Sequence, residues 1–585
     1  MDCDATVINY RVANKVLFQI LQTPRESLHL NGLLKNDCIE EIFKIMKLKN
    51  TTYLSLRSNK LNHLPSNIGD KITNLVHLDL SENHLRHLPN SLDLLKKLKV
   101  LIISNNNLFI IPSAVCQLTN LRILKASNNQ VSHVSSDISN LVNLELLDLS
   151  NNCFSKLPSQ MENLNNLKYF YIQKTQLLKM PLCISRGMRS LETLNLSYNK
   201  SLDISDEPKS TNLKVFSARK NGLCPTFPGW IFSSVYINLE EVALDCTYFK
   251  HFHLLNYVST SSIKNLSMMQ CQLSDTILDK LVEVLENIEN LSIGNSRSFV
   301  NRNSFWHFPI INLKNNEKLK KLNIQEANIS ILSPEISRFT NLKELNVSGN
   351  YISWLPDEVC NLLQLRSLNI DRNKISYLPP NIGNLYMLKE LKASHNYLSR
   401  LPDSVKDLRS LRYIDLYGNE FHEFPGQIKH LNLLGLDIDQ NLFPTDSFMM
   451  TDISYEKLRI SLRDHWKNED KLTGFRVKSN KDSESCQSDS SSLGSKSPTE
   501  CVILENNKIM EDWDVSNDSA NEFDPNEKII PRSKNVLASI KRINQRRFCP
   551  ADFHPVSTTR KIRQMRQTGN LKCQIKLVEG QFDDA

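Results

Sequence analysis

The sequence predicts an α/β solenoid. A long parallel inner sheet of short strands is backed by loops and short helices, and a tail of different composition follows it. Three observations carry that expectation. An apolar pattern at 75–89 (LVHLDLSENHLRHLP) returns at 98–112, 144–158, 342–356, 365–379, 388–402 and 411–425. One position of each repeat favours asparagine: Asn59, Asn83, Asn106, Asn129, Asn152, Asn199, Asn221, Asn350, Asn373, Asn396, Asn419 and Asn441. Thr175, Thr247, Cys271, Ser296 and Ala327 stand at that position in the remaining repeats, which makes 17 in all, after a degenerate opening repeat around Leu28. Third, the repeat stops near residue 468, and nine of the 21 residues at 479–499 are serine.

Each recurring residue type has a physical role. The x-L-x-L piece is a short strand with leucines on one face, because side chains alternate along a strand. A single repeat cannot bury its own apolar stripe, so neighbours stack into one continuous core. Asparagine suits the turn after the strand, since its amide bonds to nearby backbone. Stacked along the solenoid, these residues form a ladder that satisfies buried peptide groups. Proline at positions such as Pro65, Pro89, Pro112, Pro158, Pro356, Pro379 and Pro402 fixes the chain as it leaves the sheet. Seventeen strand steps of ~4.8 Å trace an inner arc of about 80 Å.

The motif resembles the leucine-rich repeat L-x-x-L-x-L-x-x-N-x-L, in the 23-residue form that continues L-P-x-x-I-x-x-L. The resemblance covers roughly residues 25–445. Residues 1–24 are expected to form an N-terminal cap, with a helix over 9–21. A C-terminal helical cap is expected over 446–467, with its helix at 453–466, because terminal repeats must shield the exposed core. Two repeats look helical on their outer side. Asn36-Asp37 precedes a run with Ile39, Ile42 and Phe43, and Ser274-Asp275 precedes Ile277, Leu278, Leu281 and Val282. The second resembles the longer, helix-backed ribonuclease-inhibitor style of repeat. Between 199 and 327 the spacing drifts through 22, 26, 24, 25 and 31 residues, which suggests either a change in curvature or harmless drift. The aromatic loop at 299–309 (FVNRNSFWHFP) either protrudes or packs back on the solenoid.

The tail, 468–585, reads as disordered. Residues 482–527 hold 12 acidic against 2 basic side chains, and residues 532–576 hold 12 basic against 1 acidic. Blocks of this kind are solvated interaction tails, and Ser497-Pro498 is a candidate phosphorylation site.

Composition excludes several classes. The 13 cysteines are scattered and include no Cys-x-x-Cys pair, which fits a reducing compartment, the cytoplasm or the nucleus. Residues 1–12 lack the basic-then-apolar layout of a secretory signal. No apolar run reaches the ~20 residues of a membrane span. There is no phosphate loop, H-E-x-x-H or G-x-S-x-G, so no catalytic, cofactor or metal residue is assigned. His63, His87 and His133 share one position in their repeats, and a solvated edge explains them better than a metal site.

The inner sheet face carries the candidate site. In the N-terminal half its outward residues include Val100, Ile102, Ile123, Leu146, Tyr169 and Tyr171, an apolar and aromatic patch of the kind that marks a binding surface. In the C-terminal half the same columns give Glu344, Asp371, Glu390, Lys392, Tyr413, Asp415, Tyr417, Asp437 and Asp439. That acidic stripe should prefer a basic partner. The 532–576 segment is one tethered basic candidate, with an independent tail as the alternative.

The repeat type is similar to that of the intracellular Ras-group leucine-rich repeat proteins. That resemblance implies a non-catalytic scaffold that binds other proteins on its inner face, with a small GTPase or a phosphatase as partner, as a monomer. Lys15-Val16-Leu17-Phe18 matches the [RK]-V-x-F phosphatase-docking pattern, although Val16 and Leu17 fall where the cap helix would bury them. Two other classes stay open. One is a targeting or substrate-recognition subunit of a separate enzyme, such as a phosphatase or ubiquitin ligase. The other, less favoured, is a nucleic-acid-associated protein acting through Lys541, Arg542, Arg546 and Arg547 of the basic tail.

Overall fold

Short strands with apolar alternate residues can bury only one face each, and the chain solves this by stacking them side by side. The computed structural model describes residues 26–34, 39–45, 48–252, 261–296, 301–306, 308–444 and 453–473. The expected N-terminal cap, the motif at 15–18 and the charged tail from 474 onward lie outside the described residues. Among the described residues, 18 parallel strands form a single sheet. It begins at Ser27–His29 and ends at Gly435–Asp437, and every strand pairs with its neighbours in chain order. The central apolar residue of each strand, leucine in most, such as Leu78, Leu101, Leu124 and Leu345, is buried and pairs in register with the next. These residues belong to one continuous apolar core.

Most coils leave only about five residues for the outer side. Single 3₁₀ turns such as Asn90–Leu94, Ser159–Asn163 and Asp403–Asp407 fill it, each preceded by a proline held near φ −70°. The two expected helices are present, Ile39–Ile45 and Asp275–Val284, the second with Leu278, Leu281 and Val282 buried. The sheet runs through the irregular middle without a break, from Thr193–Asn195 to Lys321–Asn323. Extra residues are absorbed outside it, partly by a separate parallel pair, Gly222–Thr226 with Thr247–His251. At the aromatic loop Phe305 and Phe308 are buried, and Phe308 packs edge-on against Phe339 at 6.2 Å. Trp306 points outward.

The asparagine ladder has a fixed sense. Asn83 Oδ1 accepts from Asn59 N at 3.1 Å and Leu61 N at 3.0 Å, in the coil before it. Its Nδ2 donates at 2.9 Å to Leu56 O and Leu80 O. Asn373 does the same with Ile352 N, Val347 O and Ile370 O. One assignment needs correction. Ser296 does not fill the ladder in its coil, because its hydroxyl bonds to Gln270 instead. Asn303 takes the place, accepting from Cys271 N and Leu273 N at 2.8 Å and donating to Met268 O and Ile293 O at 2.8 Å. Asn295 braces it, accepting from Asn303 N and donating to Asn303 O. The 31-residue spacing is therefore an ordinary coil carrying a seven-residue insertion before its asparagine.

In the regular coils the residue before the ladder position is left-handed, with φ between 51° and 60° at Ser58, Glu82, Asn105, Asn128, Asn151, Arg372 and His395; ahead of Asn303 it is Asn301, two residues before, that is left-handed. Glycine stands at this place at 349 and 418. Elsewhere the strain of roughly 1 kcal/mol per residue is offset by the ladder bonds it aligns.

Among the described residues the last coil has no successor, and the helix Ile453–Thr473 substitutes for one. Tyr455 Oη accepts from Ile438 N at 3.1 Å and donates to Asp439 Oδ1 at 2.7 Å. The expected C-terminal helix is present, but it continues past Trp466 to Thr473 and crosses onto the inner sheet face.

Candidate inner-face binding surface

Strand register decides which predicted residues meet. His77, Val100, Ile123, Leu146 and Tyr169 lie in one column, each paired with the next. The neighbouring column runs Asp79, Ile102, Lys125, Asp148, Tyr171. Val100, Ile123, Leu146 and Tyr169 are therefore contiguous. Ile102 joins them beside Val100 and Ile123, while Lys125 and Asp148 separate it from Tyr171. The patch is a ridge one residue wide, not a block.

The ridge also extends further than the sequence reading placed it. Tyr53 lies at 4.3 Å from the His77 ring, stacked at 19°, and 4.6 Å from His29. Burial lowers the His77 pKa, so the imidazole is neutral at pH 7 and behaves as part of the aromatic stack. The signal was available, since His29, Tyr53 and His77 occupy outward strand positions, but only stacking shows that they share one surface.

On one side of the ridge, serines 81, 104, 127 and 150 form a low, buried column. Ser127 Oγ bonds to Ser104 Oγ at 3.0 Å, and Ser81 and Ser150 bond to Asp79 and Asp148 at 2.6 Å. On the other side, Arg122 and Lys168 pair with Glu145 at 3.3 and 3.8 Å, and Lys214 with Glu192 at 2.7 Å. The result is an apolar ridge between a serine trough and a rim of exposed ion pairs. The Tyr171 phenol, its pKa raised by burial and by Asp148, is held neutral as a hydrogen-bond donor.

The C-terminal half is different. The sequence reading treats Glu390, Lys392, Tyr413 and Asp439 as open face, whereas the helix Ile453–Thr473 lies on them. His465 stacks on Tyr413 at 3.7 Å and 4°, and its Nε2 is 2.8 Å from Glu390 Oε1. Lys392 Nζ sits 3.7 Å over the Trp466 ring. Arg459 pairs with Asp439, and Arg463 lies 3.5 Å from Asp437. Glu344 is paired with Lys321 at 2.6 Å. Asp371 accepts from Ser394 N and Oγ at 2.8 and 2.9 Å, and Asp415 accepts from Tyr417 N at 3.1 Å. Burial, then the mutual repulsion of these carboxylates, raises the pKa of Asp415 well above the usual range; burial also raises Asp371 and Asp437. The acidic stripe thus faces a basic and aromatic helix from its own chain. That helix face, Tyr455, Arg459, Leu462, His465 and Trp466, follows helical spacing in the sequence.

Among the described residues no reactive centre stands out. Burial raises the thiols of Cys116 and Cys360 to about 11 and those of Cys183 and Cys224 to about 12, far from a thiolate at neutral pH. His63, His87 and His133 are exposed on the edge. Among the described residues no cluster of three His, Cys, Asp or Glu could hold a metal ion, and no helix is long and apolar enough to cross a membrane. A depression of about 590 Å³ on the rim is lined by Glu240, Lys264, Glu289 and Lys320. These residues neutralise one another in pairs at 2.8 and 2.7 Å.

Three family models match the chain: "Leucine-rich repeat region" over residues 298–411, and "Leucine rich repeat" over 49–108 and 143–164. A comparison with curated proteins found no match. Among solved structures, a leucine-rich repeat protein of Leptospira interrogans is 25% identical, with 71% of this chain and 93% of that chain covered and a TM-score of 0.48. The TLR13–ssRNA13 complex is matched at 20% identity over 71% of this chain and 63% of that chain, with a TM-score of 0.50. The Toll–Spatzle complex of Drosophila is matched at 19% identity over 68% and 56%, with a TM-score of 0.49. The likeness to TLR13 is one of fold.

Proposed function

Because the chain is a leucine-rich repeat protein, we propose that it is a non-catalytic scaffold that holds other proteins against the open part of its inner sheet face. The observation that carries this is the ridge of half-buried Val100, Ile123 and Leu146 and exposed Tyr169, with Ile102 and Tyr171 beside it, in unbroken register. Aromatic and aliphatic side chains on an otherwise polar sheet favour protein contact, and tyrosine supplies large area at low conformational cost. The serine trough alongside leaves room for a partner side chain to approach the sheet. Asp371, Glu390, Tyr413, Asp415 and Tyr417 serve a different end in this reading, since four of them lie at or beside the chain's own helix. They join the partner surface only when that helix moves.

A partner of the small GTPase or phosphatase type, met in the cytoplasm or nucleus during signalling, is the finer form of the proposal. It rests on the resemblance to the Ras-group proteins, and the free cysteines at 116, 183, 224, 271 and 360 among the described residues support a reducing location. The test is quantitative affinity capture on the full chain beside a Tyr169→Ala/Tyr171→Ala variant of equal thermal stability. Specific partners are expected to fall at least tenfold with the variant. Retrieval of the same proteins in the same amounts would remove the ridge as the docking surface.

A further inference from the structure

We propose a second docking surface, on the rim where the chain enters the sheet, that takes an acidic segment of another protein. The residue just before each strand forms a column along this rim. From Arg122 to Lys320 the column alternates in sign through nine coils. The alternation makes ion pairs, among them Arg122 with Glu145 at 3.3 Å, Lys214 with Glu192 at 2.7 Å and Lys320 with Glu289 at 2.7 Å. After Lys320 it stops, and the next four coils carry Lys343, Arg366, Lys389 and Arg412. The strands that follow them pair in register, Glu344 with Ser367, Ser367 with Glu390 and Glu390 with Tyr413. The four bases therefore stand on successive coils ~4.8 Å apart. Among the described residues Lys343, Arg366 and Lys389 form no ion pair. Arg412 donates to the backbone oxygens of Arg409, Leu411 and Asn432 at 3.2, 3.1 and 3.4 Å, and no carboxylate neutralises it. Like charges on neighbouring strands repel. The same column is neutralised in earlier coils, so the repeat does not require this row.

The surroundings keep the row positive. Two carboxylates adjoin it in the chain and both are engaged, Glu344 with Lys321 at 2.6 Å and Glu390 with His465 at 2.8 Å. The outer turns that lead into these coils carry their carboxylates Glu335, Asp357, Glu358 and Asp403 in their first residues. Their bases, Arg338 and Lys406, come last, so these turns present a positive end to the row. Lys318 and Arg409 add to it, and Glu317 and Asp407 are the carboxylates left on that side, two against eight bases. An anionic partner is the complement of this field. The row spans about 14 Å, the length of about five extended residues. Leu363 and Tyr386, three residues before Arg366 and Lys389, are 44% and 52% exposed. A nucleic-acid strand draws on aromatic side chains at successive steps to stack its bases, and here the row has Tyr386 alone. Acidic residues with an aliphatic or aromatic side chain among them match both the bases and this pair. The rim lies beside the sheet face, so the surface does not depend on the inner ridge.

The test uses the full chain and a fluorescein-labelled peptide of about 12 residues, half of them glutamate, with two leucines among them. A second peptide carries glutamine at each glutamate. Fluorescence anisotropy is expected to show the glutamate peptide binding at least tenfold tighter, with the difference shrinking as salt is added. Arg366→Glu/Lys389→Glu should weaken the glutamate peptide at least tenfold without lowering the melting temperature. Lys156→Glu/Lys179→Glu makes the same charge change at exposed positions away from the rim, and it should leave binding unchanged. Tyr169→Ala/Tyr171→Ala should also leave it unchanged, which separates this surface from the inner ridge. Equal binding of both peptides overturns the proposal. So does binding indifferent to Arg366→Glu/Lys389→Glu, the result expected if the bases of 532–576 were the site. Labelled oligothymidylate of equal charge that binds more tightly than the peptide, and loses that binding in Arg366→Glu/Lys389→Glu, also overturns it, because the partner would then be a nucleic acid.

Discussion

Asn303→Ala is expected to destabilise the central coils by about 3–5 kcal/mol, while Ser296→Ala costs less than about 1 kcal/mol. Asn303 satisfies two amides, of Cys271 and Leu273, and two carbonyls, of Met268 and Ile293, in a place from which water is excluded. Alanine leaves all four without their side-chain partner, and an orphaned buried peptide group costs about 1–3 kcal/mol. Asn295 cannot stand in, since its own amide already serves Asn303 O and Glu326 O. Urea denaturation read by circular dichroism, with hydrogen exchange on residues 268–273, separates the two variants. Equal midpoints for both would return the ladder role to Ser296.

Asp415→Asn should act in the opposite direction and raise stability at pH 7. Asp415 is desolvated and lies near Asp371 and Asp437, which together lift its pKa in the folded state. A folded-state pKa above the unfolded value means that the native chain binds the proton more tightly. Wild-type stability from this group is therefore greatest in acid, and is lost as pH rises from the unfolded carboxylate range of about 4 through the elevated folded value. Asparagine keeps the carbonyl that accepts from Tyr417 N at 3.1 Å and removes the charge. Denaturant titrations between pH 4 and pH 8 should show the variant gaining on the wild type as pH increases. A variant less stable than wild type at pH 8 would mean that Lys392 and Arg463 more than compensate this carboxylate.

The strands were legible because leucine alternates with polar residues and returns at nearly constant spacing. The ladder was legible wherever asparagine kept its distance from the strand. Asn303 escaped because an insertion separates it from Leu291, and a reading by fixed offset stops at Ser296. The left-handed column escaped for another reason. Glutamate, serine, histidine and arginine occupy it, and their side chains do not advertise the backbone they adopt. The register sets the proposed ridge residues side by side, but its width was not legible, since Lys125 and Asp148 interrupt the second column only once the register is known. The largest difference concerns the acidic stripe. Composition shows its charge, yet only the three-dimensional path of the last helix shows that Arg459, Arg463 and His465 come back to meet it.

The ladder's fixed sense has a consequence for how the protein is made. In the regular coils the turn amides find their acceptor on an asparagine more than 20 residues later, as Leu85 does with Asn106 and Ile352 with Asn373. During synthesis the newest coil is therefore always incomplete, and it closes only when the following one emerges from the ribosome. Folding advances as a zipper that trails the growing end by one turn of the spiral, and it finishes when Tyr455 arrives at Ile438. Premature termination anywhere before that helix would leave a raw end that the complete polypeptide never exposes.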